Sequence, residues 1–199
     1  VDRISGSTGF GPWKSKFQAE VSEGRIGSEK VILLKPMTFM NLSGQSVGEA
    51  MRFYKLSPED VTVFHDELDL APGKVRLKTG GGHAGHNGLR SMHQHIGADY
   101  NSVRLGIGHP GHQDKVARYV LHDFAKAEEA WLDDLLRGIE DGIQHLADGE
   151  GPRFLNAIAL RFNPPRPSTG KQKPIAKAAP EPAQAETRTT LQRLKDKFS

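Results

Sequence analysis

Between a strand-like run, Lys74 to Leu77, and a helix-like run, Leu89 to Ile96, stands Leu77-Lys78-Thr79-Gly80-Gly81-Gly82-His83-Ala84-Gly85-His86-Asn87-Gly88, with five glycines and two histidines. No other stretch constrains the fold as strongly. Glycine admits backbone angles closed to other residues and lets a ligand approach closely, at a cost in chain entropy. Three in succession fit a loop where close approach matters. A loop entering a helix also presents unpaired N–H groups, which favour a phosphate or an oxyanion. His86 and Asn87 stand at that corner and can offer polar contacts to a base, a ribose or a carbonyl. A plain strand-to-helix connection with solvent-facing histidines has the same composition, and glycine-rich loops are weak motifs when taken alone.

A strand feeding a helix in this way is the unit of an α/β domain, and 199 residues suit one such domain with an appendage. The hydrophobic fraction of 36% and the mean hydropathy of −0.53 are low for a chain that is globular throughout. The tail accounts for this. From Asn163 to Ser199 there are eight Lys and Arg against three Asp and Glu, a net of +5; taken from +3 for the whole chain, this leaves −2 on residues 1–162. The same stretch holds six of the twelve prolines. Residues 1–162 are therefore expected to form the folded domain and residues 163–199 a disordered Pro/Ala/Lys-rich tail. Net charge does not argue for a nucleic-acid-binding core, and any basic surface there must be local. The absence of cysteine excludes disulfides and thiolate catalysis and suits a reducing cytoplasm. No apolar run nears membrane-spanning length, and nothing at the start resembles a signal peptide. The sequence opens at Val1 rather than Met, as expected of a fragment or a misassigned start.

In chain order, residues 5–16 are turn-rich and read as a loop. Phe17 to Ser22 alternates as a half-buried strand does, and Gly24 and Gly27 suggest a hairpin back into Lys30-Val31-Ile32-Leu33-Leu34-Lys35. That continuous apolar run predicts a central strand covered on both faces. Asn41 and two large apolar residues, Phe39 and Met40, follow at the strand-to-helix corner, where α/β folds tend to place ligand sites. Ser43 is expected to cap a helix whose apolar stripe is Val47, Met51 and Tyr54. Val61-Thr62-Val63-Phe64 reads as a buried strand running into His65-Asp66-Glu67-Leu68-Asp69. Three carboxylates in four residues repel one another unless something pairs with them, and an Asp in such a place can orient a histidine base. Asn101 to Gly111 reads as a strand leaving for a turn. Trp131, Leu135, Ile139, Ile143 and Leu146 mark an amphipathic helix over 127–147, and Pro152 to Phe162 reads as a last short helix.

Four motifs occur in order: Pro36-Met37-Thr38-Phe39-Met40-Asn41-Leu42-Ser43-Gly44, His65-Asp66-Glu67-Leu68-Asp69, Gly80 to Gly88, and Arg104-Leu105-Gly106-Ile107-Gly108-His109-Pro110. Over residues 1–162 the chain resembles the bacterial-type peptidyl-tRNA hydrolases. The resemblance implies a monomeric, cytoplasmic α/β enzyme, one three-layer domain with a mixed sheet between helices, which needs no metal or other cofactor. The implied reaction is hydrolysis of the ester between a peptide and the 3′-terminal ribose of tRNA. A histidine is the general base in the family, and the aspartate that holds it matches Asp66. Phe39, Asn41 and Asn87 match positions at the tRNA 3′ end and the ester-bearing residue. Met40, Gly82, Gly85 and His86 match the peptide channel and its gate, and Lys78 and Arg104 match basic positions near the tRNA phosphates.

One departure stands against these agreements. The family opens with a strand, a Gly-Leu-Gly-Asn-Pro-Gly-like loop and an Arg-His-Asn segment that carries the base, and Val1 aligns after that segment. The catalytic histidine and a central strand are thus expected to be missing from these residues, and the chain as given is expected to be inactive. Two rival readings remain: an RNA-binding relative that lost hydrolysis, and a metal hydrolase using His65, Asp66, Asp69, His83 and His86. The second lacks any recognised ligand spacing.

Overall fold

The computed structural model describes residues 1–7 and 9–164; the expected tail from 165 onward lies outside the described residues. The chain begins with a short helix, α1 (Asp2–Ser7), where a loop had been expected from residue 5. Tertiary contacts hold this single turn and a half, and they leave no periodic trace in the sequence. Ile4 is buried in the main core, Asp2 pairs with Lys35, and Arg3 pairs with Asp133.

An antiparallel meander follows: β1 (Lys14–Lys16), β2 (Ala19–Ile26) and β3 (Glu29–Pro36). The strand read at Phe17–Ser22 begins two residues later. Lys16 pairs with Ala19, so Phe17 and Gln18 form a two-residue turn with φ of 56° and 53°. Positive φ at both central residues matches the twist of the flanking strands. The Phe17 ring turns away to meet Phe53 and Tyr54, 5.2 and 5.8 Å between centroids. The expected hairpin into the apolar run is present, with Ile26 paired to Glu29 across Gly27 and Ser28.

β3 departs from the reading of its sequence. It ends its sheet instead of standing in the middle, and only Leu33 along it is fully buried. The expected single mixed sheet is represented among the described residues by two three-stranded ones. The second has the order β4 (Thr62–Glu67), β6 (Asn101–Gly106), β5 (Val75–Thr79), with β4 parallel and β5 antiparallel to β6.

Helices flank the sheets, as an α/β fold requires. α2 (Ser43–Tyr54) and α3 (Asn87–Ile96) pack on each other, and Leu89, Met92 and Tyr100 form a small core with Val47, Val61, Val63 and Ile96. After α4 (Val116–Val120), α5 (Glu129–Ala147) and α6 (Gly151–Phe162) cover the larger core. The stripe read from the sequence supplies that core with Leu135, Ile139 and Ile143, which meet Val103, Phe154 and Leu33. Ser43 does not cap α2. Its Oγ donates to the Met40 carbonyl at 2.9 Å, because a 3-10 turn, Met40–Leu42, runs straight into the helix. No helix among the described residues is long and apolar enough to cross a membrane.

Candidate active site

Asp66 is the next-to-last residue of β4 and His86 the residue just before α3. The two side chains meet, with His86 Nε2 3.0 Å from Asp66 Oδ1. The other ring nitrogen, Nδ1, accepts the backbone N–H groups of Gly88 at 3.1 Å and Leu89 at 3.3 Å. These bonds fix the tautomer. Nδ1 is the acceptor, so the proton resides on Nε2 and is donated to the carboxylate. The sequence reading left the N–H groups of α3 open for a phosphate or oxyanion; the structure corrects this, since the imidazole fills the capping place that Ser, Thr, Asp or Asn commonly takes. The loop is satisfied internally as well. Gly85 N–H donates to His83 Nδ1 at 3.1 Å and His86 N–H to the His83 carbonyl at 2.8 Å, with Gly80, Gly81 and Gly85 at positive φ.

Two of the three carboxylates that the sequence left to be paired find side-chain partners. The hydrogen bond from His86 lowers the Asp66 pKa against the opposing effect of burial. Glu67, nearly buried, accepts from Arg104 Nε at 2.8 Å and Nη2 at 2.7 Å, and from Asp69 N–H at 3.2 Å. Arg104 is thus engaged in an ion pair on β6, opposite His65. Its side chain is 23% exposed. His65 is buried, which lowers its pKa, and its Nδ1 lies 2.8 Å from the Asp66 carbonyl oxygen. The His65 and His86 rings meet edge to face at 5.4 Å.

Met40 joins the cluster through α3. A methyl group on Gly88 would stand 2.7 Å from the Met40 sulfur and 3.0 Å from His86 Cε1, so the absence of a side chain there lets the thioether close over the turn. Asn41 is exposed in the same 3-10 turn, and Asn87, exposed as the first residue of α3, accepts from Arg90 Nη2. Phe39 is 81% exposed. Gly82 and Gly85 are exposed in the loop. Lys78 is exposed on β5 with its ammonium against Gly81, separate from the Asp66–His86 contact. The sequence reading did not anticipate Glu67 as the partner of Arg104 or His86 as a cap. The first needed the register of β4 on β6, and the second the closed shape of the loop. The metal reading gains no support: among the described residues no three His, Cys, Asp or Glu side chains gather as a cation site.

The Asp66–His86 pair has a pH signature. A carboxyl whose folded pKa lies below its ordinary value of 3.8 contributes stability that is complete above that value. The contribution is lost as pH falls through the folded value. The stability difference between the chain and its Asp66→Asn variant is expected to shrink as pH drops below about 4, read from urea midpoints between about pH 2 and 6. A difference that stays constant through that range would mean that the carboxylate is not held by His86.

An α/β domain with a sheltered Asp–His pair, a 3-10 turn bearing Asn41 and a glycine loop entering a helix defines a class of hydrolase-like sites. The chain belongs to the peptidyl-tRNA hydrolase family, whose model matches residues 1–168. It is 68% identical to a peptidyl-tRNA hydrolase of Cereibacter sphaeroides, with 100% of this chain and 88% of that protein aligned. A peptidyl-tRNA hydrolase of Ruegeria pomeroyi is 62% identical, with 100% and 89% aligned. The crystal structure of peptidyl-tRNA hydrolase from Acinetobacter baumannii superposes with a TM-score of 0.73 at 40% identity, covering 79% of this chain and 81% of that one.

Proposed function

We propose that this protein hydrolyses the ester between a peptide and the 3′-terminal ribose of tRNA, recycling tRNA during translation. In this reading it works in the cytoplasm as a monomer, on the acceptor end of its substrate. The observation that carries it is the Asp66 carboxylate, kept ionised at the C-terminal end of β4 beside Met40 and the start of α3. Ester hydrolysis near neutral pH needs a base that takes a proton from water and donors for the oxyanion that forms. Asp66 orients the base imidazole and stabilises its cation. A carboxylate has two oxygens, and His86 takes Oδ1, so Oδ2 is available to a second imidazole. Asn41 and Asn87 offer amide donors to the ribose and the ester, Phe39 and Met40 apolar contact to the 3′ end, and Lys78 and Arg104 charge for phosphates. Gly82, Gly85 and His86 border the path of the peptide.

His86 is not the base in this reading. Its Nδ1 accepts from two backbone N–H groups and its Nε2 carries the proton given to Asp66, so neither nitrogen offers water a lone pair. The base in this reading is the histidine of the family's Arg-His-Asn segment. Residues 1–162 form the catalytic domain, and residues 163–199 take no part in the chemistry.

The test measures release of N-acyl-aminoacyl groups from tRNA in the presence of EDTA. It compares this chain, a form extended ahead of Val1 by the family's strand and Arg-His-Asn segment, and that extended form ending at Phe162. Hydrolysis is expected in both extended forms and not in the short one. In the extended form, Asn87→Ala and Lys78→Ala are expected to raise KM several-fold with a smaller effect on kcat. Hydrolysis by the short chain would return the base role to His86 or His65. Binding of tRNA without hydrolysis in any form would identify a non-catalytic RNA-binding member of the fold.

A further inference from the structure

The glycine loop contains one turn that its glycines do not explain. His83-Ala84-Gly85-His86 closes with the His86 N–H donating to the His83 carbonyl at 2.8 Å, and both central residues have positive φ, 46° at Ala84 and 80° at Gly85. Such a turn ordinarily takes Gly, Asn or Asp at these positions. Alanine is strained there, because its Cβ crowds the following carbonyl oxygen. The His83 side chain supplies a restraint. It folds back over the turn, and its Nδ1 accepts the Gly85 N–H at 3.1 Å. As the acceptor, Nδ1 carries no proton, so the His83 imidazole is neutral and protonated at Nε2.

The ring is seated as well as bonded. It meets His93 of α3 edge to face at 5.5 Å, and His93 meets Tyr100, a buried residue of the smaller core, at 5.7 Å. His83 thus ties the loop to the packed layer on one side. On the other side the turn ends at His86, which caps α3 and donates to Asp66. Titratable and charged groups surround the turn from each neighbouring element. α3 brings His93, and Arg90 with its guanidinium on Asn87. β5 brings Lys78, with its ammonium against Gly81, and Asp99 stands beside Gly80 ahead of β6. Burial first, and then His83, lower the His93 pKa, so His93 stays neutral to lower pH than an ordinary histidine.

We propose that His83 is a positioning residue: its neutral imidazole latches the glycine loop and so sets His86 against Asp66, and a proton at Nδ1 opens the latch. Closure and a proton on Nδ1 exclude each other, because two N–H donors would then face one another at Gly85. Closure is therefore favoured as pH rises and lost as pH falls through the range of about 8 to 5 in which histidines titrate. An open latch lets Ala84 return to negative φ, and the His86 N–H then loses the His83 carbonyl. The His86 ring is no longer held over Gly88 and Leu89, and Asp66 loses its donor. The effect on catalysis rests on the hydrolase reading, whereas the latch itself does not.

The latch is read in this chain by amide hydrogen exchange, expressed as protection factors so that the pH dependence of exchange itself is removed. Protection of the Gly85 and His86 amides is expected to fall between about pH 8 and pH 5. His83→Ala is expected to lower it at every pH, and with it the protection of Gly88 and Leu89, while the core amides of Val103 and Leu135 are unchanged. His83→Asn offers Oδ1 in place of Nδ1 and takes up no proton, so protection is expected to be kept and to lose its pH dependence. Ala84→Gly removes the strain, and in that background His83→Ala is expected to expose the Gly85 amide alone. Parent-like protection of Gly85 in His83→Ala, or a pH dependence that survives in His83→Asn, would overturn the proposal. In the form extended ahead of Val1, His83→Ala is expected to lower kcat/KM by about 10–10²-fold, the order that a misplaced contact costs, and His83→Asn to recover most of it. Parent-like kcat/KM in His83→Ala would remove the positioning role. If the extended parent itself fails to hydrolyse, the hydrolase reading falls, and the exchange data still decide the latch.

Discussion

Replacing Asp66 by Asn in the form extended ahead of Val1 is expected to lower kcat by about 10²–10⁴-fold, the range that a general base contributes. Asparagine has nearly the same shape, and its Oδ1 can still accept from His86 Nε2, so the fold and the α3 cap are kept. It carries no charge. A base imidazole that takes a proton from water becomes cationic, and a neutral amide neither stabilises that cation nor enforces the tautomer that aims a lone pair at water. KM for N-acyl-aminoacyl-tRNA is expected to stay within a few-fold, because the candidate substrate contacts at Asn41, Asn87 and Lys78 are untouched. Asp66→Glu is expected to recover part of the rate, since charge returns while the carboxylate is displaced by one methylene. If Asp66→Asn turns over at the parent's rate, or if it changes KM and leaves kcat alone, the carboxylate has no part in proton transfer.

The residues that define this site were legible in the sequence to unequal degrees, and the difference has physical causes. Asp66 was readable because a cluster of carboxylates at the end of an apolar strand needs partners, and two of the three obtain them from His86 and Arg104. α5 was readable because its stripe repeats over 19 residues at helical spacing. α1 was not readable: six residues cannot show a period, and Lys35 and Asp133 hold it from other elements. The cap role of His86 was hidden for a related reason. Histidine is not a usual N-cap, and only the closure of the Gly80–Gly85 loop brings its Nδ1 over Gly88 and Leu89. At β3 the composition reports burial on both faces, whereas the described residues supply pairing on one side.

Two glycines four residues apart on α2 test how tightly the site is tied to the packing of α2 on α3. In an exposed helix interior, replacing Gly by Ala stabilises by about 1 kcal/mol. Gly48 is buried, but a Cβ there would press only on side chains: Arg52 Nη1 at 3.3 Å, the movable end of a long side chain, and Ile96 Cγ2 at 3.6 Å. Gly48→Ala is expected to be neutral or stabilising by up to that amount. Gly44 is different. A Cβ there would stand 2.1 Å from the Ser91 carbonyl oxygen and 2.4 Å from its carbon, which are backbone atoms of α3 and cannot rotate away. Gly44 N–H also donates to Ser91 Oγ at 3.0 Å, so separating the helices breaks a buried hydrogen bond. Overpacking of this kind costs about 1–3 kcal/mol or more, and Gly44→Ala is expected to lower the urea midpoint accordingly. The consequence reaches the chemistry because the Met40–Leu42 turn runs into α2 and Met40 rests on Gly88 beside His86. In the extended form, Gly44→Ala is therefore also expected to raise KM under conditions where the variant remains folded. Equal midpoints for the two alanine variants would show that α2 and α3 do not meet this closely, and Met40 and Asn41 would then need another anchor.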